Sequence, residues 1–398
     1  MPALIPFRAC RALPQYVEQF SISAYNNPAQ GGEVSASDFN PISYFRIENP
    51  SNFTTHVLES KETYELSRAM LREIVKQGVL VWDDKESLYV YRQVKGNHVY
   101  TGFIGLVSLD DYRNGHVKKH EKTRKDRESE IAAYSNEVRV SGSPVLLTYE
   151  EVPEIELIIQ QIVAPAPLYH FITSSHTEHF LWQVDDKKMI ETINTKLAAV
   201  KDFYIADGHH RCEGYLAIND NPPPGLMACI IPSSQLNIQS FYRLVTDLGD
   251  LKRSDLLEAL SQIFEIERLE EYALPEAPGI IHLLMKNKYY KLKIPSKYKE
   301  INDPKARLDV AILENLVFKN ILKIEDTRSS ERIYFLNGME SPEKIKYLLE
   351  EKRVRAVFAL YPLDIKDVID ISDIGETMPP KSTWIEPKLR SGLVIHSF

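Results

Sequence analysis

Cysteine is scarce in this 398-residue chain: Cys10, Cys212 and Cys229 are the only three, widely spaced and with no C-x-x-C. An odd, scattered set is neither a disulfide framework nor a zinc-knuckle pattern, and it fits a reducing compartment. No stretch approaches the roughly 20 apolar residues that a membrane-spanning helix needs. The first residues, Met1 to Arg8, lack the apolar core of a secretory leader, so the expected location is cytoplasmic. Positive charge is not in surplus either. Lys and Arg number 48 against 56 Asp and Glu, a net charge of −8, and the pI is near 5.8. A chain built to coat nucleic acid needs clustered positive charge, so nucleic acid is not an expected partner. The sequence also has no G-x-G-x-x-G, G-x-S-x-G or H-E-x-x-H. Lys381-Ser382-Thr383 imitates the end of a phosphate-binding loop, but Met378-Pro379-Pro380 stands where glycines should cradle the phosphates.

What is present is the balance of a globular protein, with 43% hydrophobic and 26% charged residues. Length alone suggests two or three domains. Periodicity places helices at 61–77, 154–163, 187–200, 254–264, 308–322 and 342–351. Alternating stretches at 86–94, 98–109, 145–149, 168–173, 178–184, 202–206, 226–232, 238–245, 279–285, 289–294, 333–336 and 355–361 read as strands. Helix and strand mixed along the whole length mean α/β or α+β. We divide the chain into an N-terminal α/β region (1–150), a central region (151–245) and a C-terminal α/β region (246–398).

The strongest local signal is Ile205-Ala206-Asp207-Gly208-His209-His210-Arg211. An apolar strand stops at Asp207-Gly208 and a helix follows, with Asp207 expected as its N-cap and Gly208 allowing close approach to the backbone. The first-turn N–H groups of such a helix, joined by Arg211, make an anion cradle. His209 and His210 add donors or a proton carrier adjustable near neutrality. The plainer alternative is a capped helix end whose histidines merely cover it. Chelation by His176 and His179 is unfavourable, because residues three apart in a strand face opposite ways.

A second signal lies in the charged run 116–130, at His120-Glu121-Lys122-Thr123 and Arg127. Glu121 suits a general base or a magnesium ligand, with His120 its acid/base partner, while Lys122, Arg124 and Arg127 could neutralise a phosphorylated substrate. Thr123-x-x-Asp126 also reads as a capping box opening the next helix, which would make Thr123 structural.

Six motifs occur in order: Pro6-Phe7-Arg8-Ala9, Asn40 to Arg46, His120 to Thr123, Ile205 to Arg211, Met378 to Trp384, and Glu386 to Gly392. Together they resemble the bacterial and archaeal family catalogued as domain of unknown function 1015. The Asp-Gly-His-His-Arg segment is also similar to the phosphate-binding box of ParB/sulfiredoxin-like proteins, some of which are free-serine kinases. This chain has Tyr25-Asn26 where family members often carry Tyr-Asp, and Tyr242-Arg243 where His-Arg is common.

The resemblance implies a ParB/sulfiredoxin-like nucleotide-binding core embedded in a larger mixed-sheet protein. It implies ATP or ADP with Mg2+, and phosphoryl transfer to free L-serine or a similar small hydroxyl compound; a homodimer is allowed. On this reading Asp207, Gly208, His209, His210, Arg211, Thr123 and Arg127 bind the nucleotide phosphates. Glu121, His120, His209 and His210 carry the catalysis, and no dedicated metal ligands are assigned. Two alternatives stand beside it: a ParB-like nucleotide-binding regulator with little turnover, and a metal-dependent hydrolase needing His120, His176, His209 and Glu121 to converge.

Overall fold

The computed structural model describes residues 3–23, 40–53, 59–218, 221–351 and 353–398. Tyr25-Asn26 lies outside the described residues. The chain is mixed α/β and divides into two compact units. One comprises 1–118, 123–236 and 387–398; the other comprises 119–122 and 237–386.

The first unit is built on a nine-stranded mixed sheet. Its order is Val117–Lys118, Phe203–Asp207, Val145–Tyr149, Leu226–Pro232, His98–Val107, Leu88–Lys95, Thr177–Val184 and Tyr169–Ile172, with Leu4–Ile5 also pairing on His98–Val107. Leu88–Lys95 and His98–Val107 form a hairpin that turns at Gly96-Asn97, a pairing of residues suited to a tight turn, with Lys95 opposite His98. Val145–Tyr149, the central part of Leu226–Pro232 and Phe203–Ile205 are apolar and buried, as strands covered on both faces must be. Ile155, Ile158, Ile159 and Ile162 of the helix Pro153–Val163 pack into the same core as Ile190, Ile193 and Leu197 of Lys187–Leu197. Their i, i+3, i+4 spacing is the reason these segments are helical. A four-stranded sheet joins Leu80–Trp82, Ala9–Ala12, Ile395–Ser397 and Val140–Ser141, so the last residues of the chain are woven into this unit.

The second unit centres on an antiparallel six-stranded sheet. Its order is Glu265–Leu269, Lys288–Lys293, Ile280–Met285, Ala356–Leu360, Phe241–Val245 and Ile333–Asn337. Tyr242, Leu244 and Val357 pack with Ile345 and Leu349 of the helix Pro342–Glu350.

Three local expectations are corrected. The single strand at 238–245 is two, Asn237–Gln239 and Phe241–Val245, in different sheets. The apolar alternation runs on across the break at Ser240, so periodicity cannot register it. The helix at 308–322 is a short α-helical turn, Asp309–Ile312, continued by a π-helix, Leu313–Lys319. The capping box at Thr123 is absent, because the helix starts later, at Lys125, with Arg124 in the cap position and no side-chain cap. Thr123 instead donates to Glu128 Oε1 at 2.5 Å, and Lys125 pairs with the other oxygen of Glu128 at 2.8 Å. Those two bonds hold the Glu128 carboxyl below its usual range.

Candidate functional site

The strand Phe203–Asp207 runs through the core and reaches the surface at a β-bulge. Ile205 pairs with Leu147 and Asp207 with Leu146, which leaves Ala206 as the extra residue. A bulge bends a strand and re-aims the residues beyond it. Gly208 comes next at φ +104°, a conformation hostile to a Cβ. An added Cβ would also lie 2.7 Å from Val145 Cγ1 and 2.9 Å from Arg211 Nη2. The helix His209–Leu216 starts at once, with Gly208 in the N-cap position. Gly214 lets that helix press on Lys125–Val138, because a Cβ there would lie 2.6 Å from Ile131 Cγ2.

Asp207 is therefore not the N-cap that its position before a helix suggests. It ends the strand, and its carboxylate faces cations instead of first-turn amides. Oδ1 accepts from Lys388 Nζ at 3.0 Å, and Arg211 Nη2 lies 3.4 Å from Oδ2. Burial pushes the Asp207 carboxyl up, but Lys388 and Arg211 outweigh it and bring the group down to about 2. About a third of its side chain (36%) still meets solvent, whereas Lys388 is 13% exposed. The result is an ionised carboxylate, flanked by two cations and open on one side.

Arg211 has a second task. Its Nη1 donates to the carbonyls of Ser143 and Pro144 at 2.8 and 2.6 Å, tying the loop before Val145–Tyr149 to the helix start. His210 Nε2 accepts the backbone N–H of Arg124 at 3.1 Å, which in the neutral ring leaves the proton on Nδ1. His209 is buried in the first helical turn. Of the other residues expected at the phosphates, Thr123 is engaged with Glu128, and Arg127 makes an exposed i, i+3 pair with Glu130 at 2.6 Å.

His120 and Glu121 belong to the second unit. There the His120 carbonyl accepts from Met378 N at 2.8 Å, and its Nε2 lies 3.3 Å from Thr383 Oγ1. Two motifs more than 250 residues apart in sequence thus meet within that unit. Arg243, fully buried nearby in the sheet, donates to the carbonyls of Phe241 and Lys381 at 2.9 and 3.1 Å.

Lys388 is the residue that sequence reasoning missed. It stands in the closing Glu386–Gly392 motif, in a polar, proline-stiffened stretch that reads equally as a border of the site or as a packed tail. Next to it, buried Arg390 donates through Nε to Ser21 Oγ at 2.9 Å and lies over the Phe171 ring. Phe171 stacks on His179, whose Nδ1 is 2.9 Å from the Tyr91 hydroxyl. Burial, aided by Arg390, pushes His179 down to about 3, so it is a neutral core histidine.

The cysteines offer no nucleophile, since all three are buried. Burial pushes Cys10 and Cys212 up to about 12, and Cys229 is raised as well. Among the described residues no three His, Cys, Asp or Glu side chains converge as a metal cage, and Lys388 and Arg211 already face Asp207. The described residues around Asp207 do not fit a resident Mg2+. No helix among the described residues is long and apolar enough to cross a membrane.

A family model described as protein of unknown function (DUF1015) matches residues 4–311. Among curated proteins none matches. Solved structures similar to this chain include SbnI with a C-terminal truncation from Staphylococcus aureus, at 14% identity and TM-score 0.40, covering 73% of this chain and 87% of that one. A free serine kinase in complex with AMP is 15% identical, with TM-score 0.35 and coverages of 73% and 92%. A conserved hypothetical protein from Pyrococcus furiosus is 15% identical, with TM-score 0.35 and coverages of 73% and 95%.

Proposed function

The chain belongs to the DUF1015 family, and from that premise we propose that it is a nucleotide-dependent phosphotransferase whose phosphate site is the Asp207–Arg211 box. One observation carries the proposal. An open, ionised carboxylate stands between Lys388 and Arg211 at a bulged strand end, where a glycine turn leads into a helix opening with two histidines. An anion arriving on the open side would meet Lys388, Arg211 and the helix N-terminus together. The likeness of its sequence to ParB/sulfiredoxin-like boxes adds that the anion is a nucleotide phosphate.

In the reaction proposed, the terminal phosphoanhydride P–O bond of ATP or ADP breaks and a P–O bond forms to the hydroxyl of serine or a similar small acceptor. The bridging oxygen leaves with the nucleotide. Lys388, Arg211 Nη2 and the His210 Nδ1–H would hold the phosphate oxygens, so catalysis is positioning and electrostatics without a covalent nucleophile. Asp207 orients the two cations. The hydroxyl proton goes to His209, in the first turn of the helix that follows Gly208. Magnesium enters only as the nucleotide's own counterion.

The test is a phosphorus NMR time course of the full chain with magnesium and ATP or ADP, with and without L-serine. It compares wild type, Lys388→Met and His209→Gln. A serine-dependent phosphomonoester that disappears in Lys388→Met supports the proposal, and turnover that stops in His209→Gln while nucleotide still binds supports His209 as the base. Unchanged nucleotide in every sample refutes it. Nucleotide that binds to wild type without turnover leaves the regulator in its place.

A further inference from the structure

The second unit contains a cavity of about 560 Å3 that the phosphotransfer reading does not use. It opens where the chain leaves the strand Ala356–Leu360. Its apolar wall comes from Pro278, Leu308, Pro362 and Leu363, and its polar groups are Lys299, Arg307, Asp309, Asp364 and Asp367. This volume lies in the range of small-molecule sites, which pair an apolar wall with a few convergent polar groups.

The polar groups divide in two. Lys299 and Asp309 are a self-satisfied pair: Nζ meets Asp309 Oδ1 at 2.7 Å and the Arg307 carbonyl at 2.9 Å, while Asp309 Oδ2 accepts the Gly279 N–H at 2.6 Å. Asp309 is buried, and these bonds fix the floor of the cavity. The remaining groups are not neutralised in this way. Asp364 and Asp367 form a reciprocal capping box on the helix Ile365–Asp373: Asp364 Oδ1 accepts the Lys366 N–H at 2.8 Å and Asp367 Oδ2 the Asp364 N–H at 3.2 Å, so both carboxyl groups stand at one helix start, held by amides and not by a cation. Against them stands one guanidinium, Arg307, loosely placed 3.9 Å from Asp370.

We infer that this cavity binds a free α-amino acid, with the ligand ammonium on Asp364 and Asp367 and its carboxylate on Arg307. Two adjoining carboxylates repel each other, and a cation between them relieves the repulsion. Asp367 is raised above its ordinary range by burial first; the Asp364 carboxylate adds to this, while the Asp364 N–H, Arg307 and Lys299 oppose it. A metal ion would leave the guanidinium unanswered. A simple anion would face two carboxylates. A zwitterion answers both ends, and the volume leaves room for a side chain against Pro278, Leu308 and Leu363. Amino-acid binding here does not depend on phosphate transfer in the first unit.

Saturation-transfer NMR and thermal shift on the full chain test it, with L-serine, L-leucine, L-glutamine and L-lysine as probes, and ethanolamine and acetate as half-ligands. At least one amino acid is expected to bind at millimolar concentration or below. Its affinity should fall roughly tenfold or more in both Asp367→Asn and Arg307→Met, the loss typical of one charge-assisted hydrogen bond. Lys388→Met should bind as wild type does, which separates this site from the phosphate box. Absence of binding by all four amino acids overturns the inference, as does equal affinity in both cavity variants. Ethanolamine or acetate binding as tightly as the amino acids overturns the zwitterion assignment. Wild-type melting temperatures in the two variants ensure that a lost signal is not lost folding.

Discussion

Replacing Lys388 by Met keeps the length of the side chain and deletes its charge, which isolates what the ammonium does for Asp207. In the folded chain the Asp207 carboxyl is held at about 2 against an ordinary 3.8. At about 1.4 kcal/mol per tenfold change in acidity, the cations, net of the burial they overcome, favour the ionised form by at most roughly 2.5 kcal/mol. With 36% of the side chain in solvent, screening reduces this to about 1 kcal/mol, of which Lys388 supplies the larger share. By linkage, a carboxyl depressed in the folded state contributes stability that is fully present above 3.8 and is lost as the pH falls through about 2. Lys388→Met should therefore be less stable than wild type by about 1 kcal/mol near neutral pH. The gap should close progressively below 3.8, down to the lowest pH at which both proteins stay folded. Urea unfolding over a pH series measures it, and a double-mutant cycle with Asp207→Asn near neutrality gives the coupling directly. Zero coupling, or a gap that ignores pH, would refute the assignment of Lys388 as the partner that keeps Asp207 ionised.

Gly208→Ala should cost about 1–3 kcal/mol, since it forces a Cβ into the left-handed region and against Val145. Calorimetry reads this as a melting temperature lower by several degrees, and an unchanged transition would show that the turn relaxes freely. His179 is held neutral, falling from an ordinary 6.5 to about 3 through burial. The stability tied to this neutrality is present above 6.5 and is lost as the pH falls through about 3, up to a ceiling of roughly 4–5 kcal/mol. His179→Gln keeps an acceptor for the Tyr91 hydroxyl, so it should flatten the acid limb of the stability profile across that window. A limb as steep as that of wild type would place the acid sensitivity elsewhere.

The residues that local patterning can specify were legible without coordinates. Apolar positions at i, i+3 and i+4 made 153–163 and 187–197 helical, and Lys95-Gly96-Asn97 turned one strand onto the next. The hinge at Asp207-Gly208 was also visible, because a strand, a glycine and a helix start are all short-range features. What each side chain does there was not. Asp207 reads as a cap until the strand is seen to end on it, one bulge later than an even ladder would allow. Arg211 reads as a free phosphate ligand until the carbonyls of Ser143 and Pro144 arrive beneath it.

The sequence by itself determined the element types, the mixed α/β class and the place of the strand–glycine–helix turn, because these depend on propensity and on periods of two and 3.6 residues. Tertiary structure alone decided that Lys388 faces Asp207 across 181 positions, and that His120 and Glu121 fold with Met378 and Thr383 in the second unit. Those partners are chosen by how whole sheets bury their faces, and no spacing along the chain records that choice.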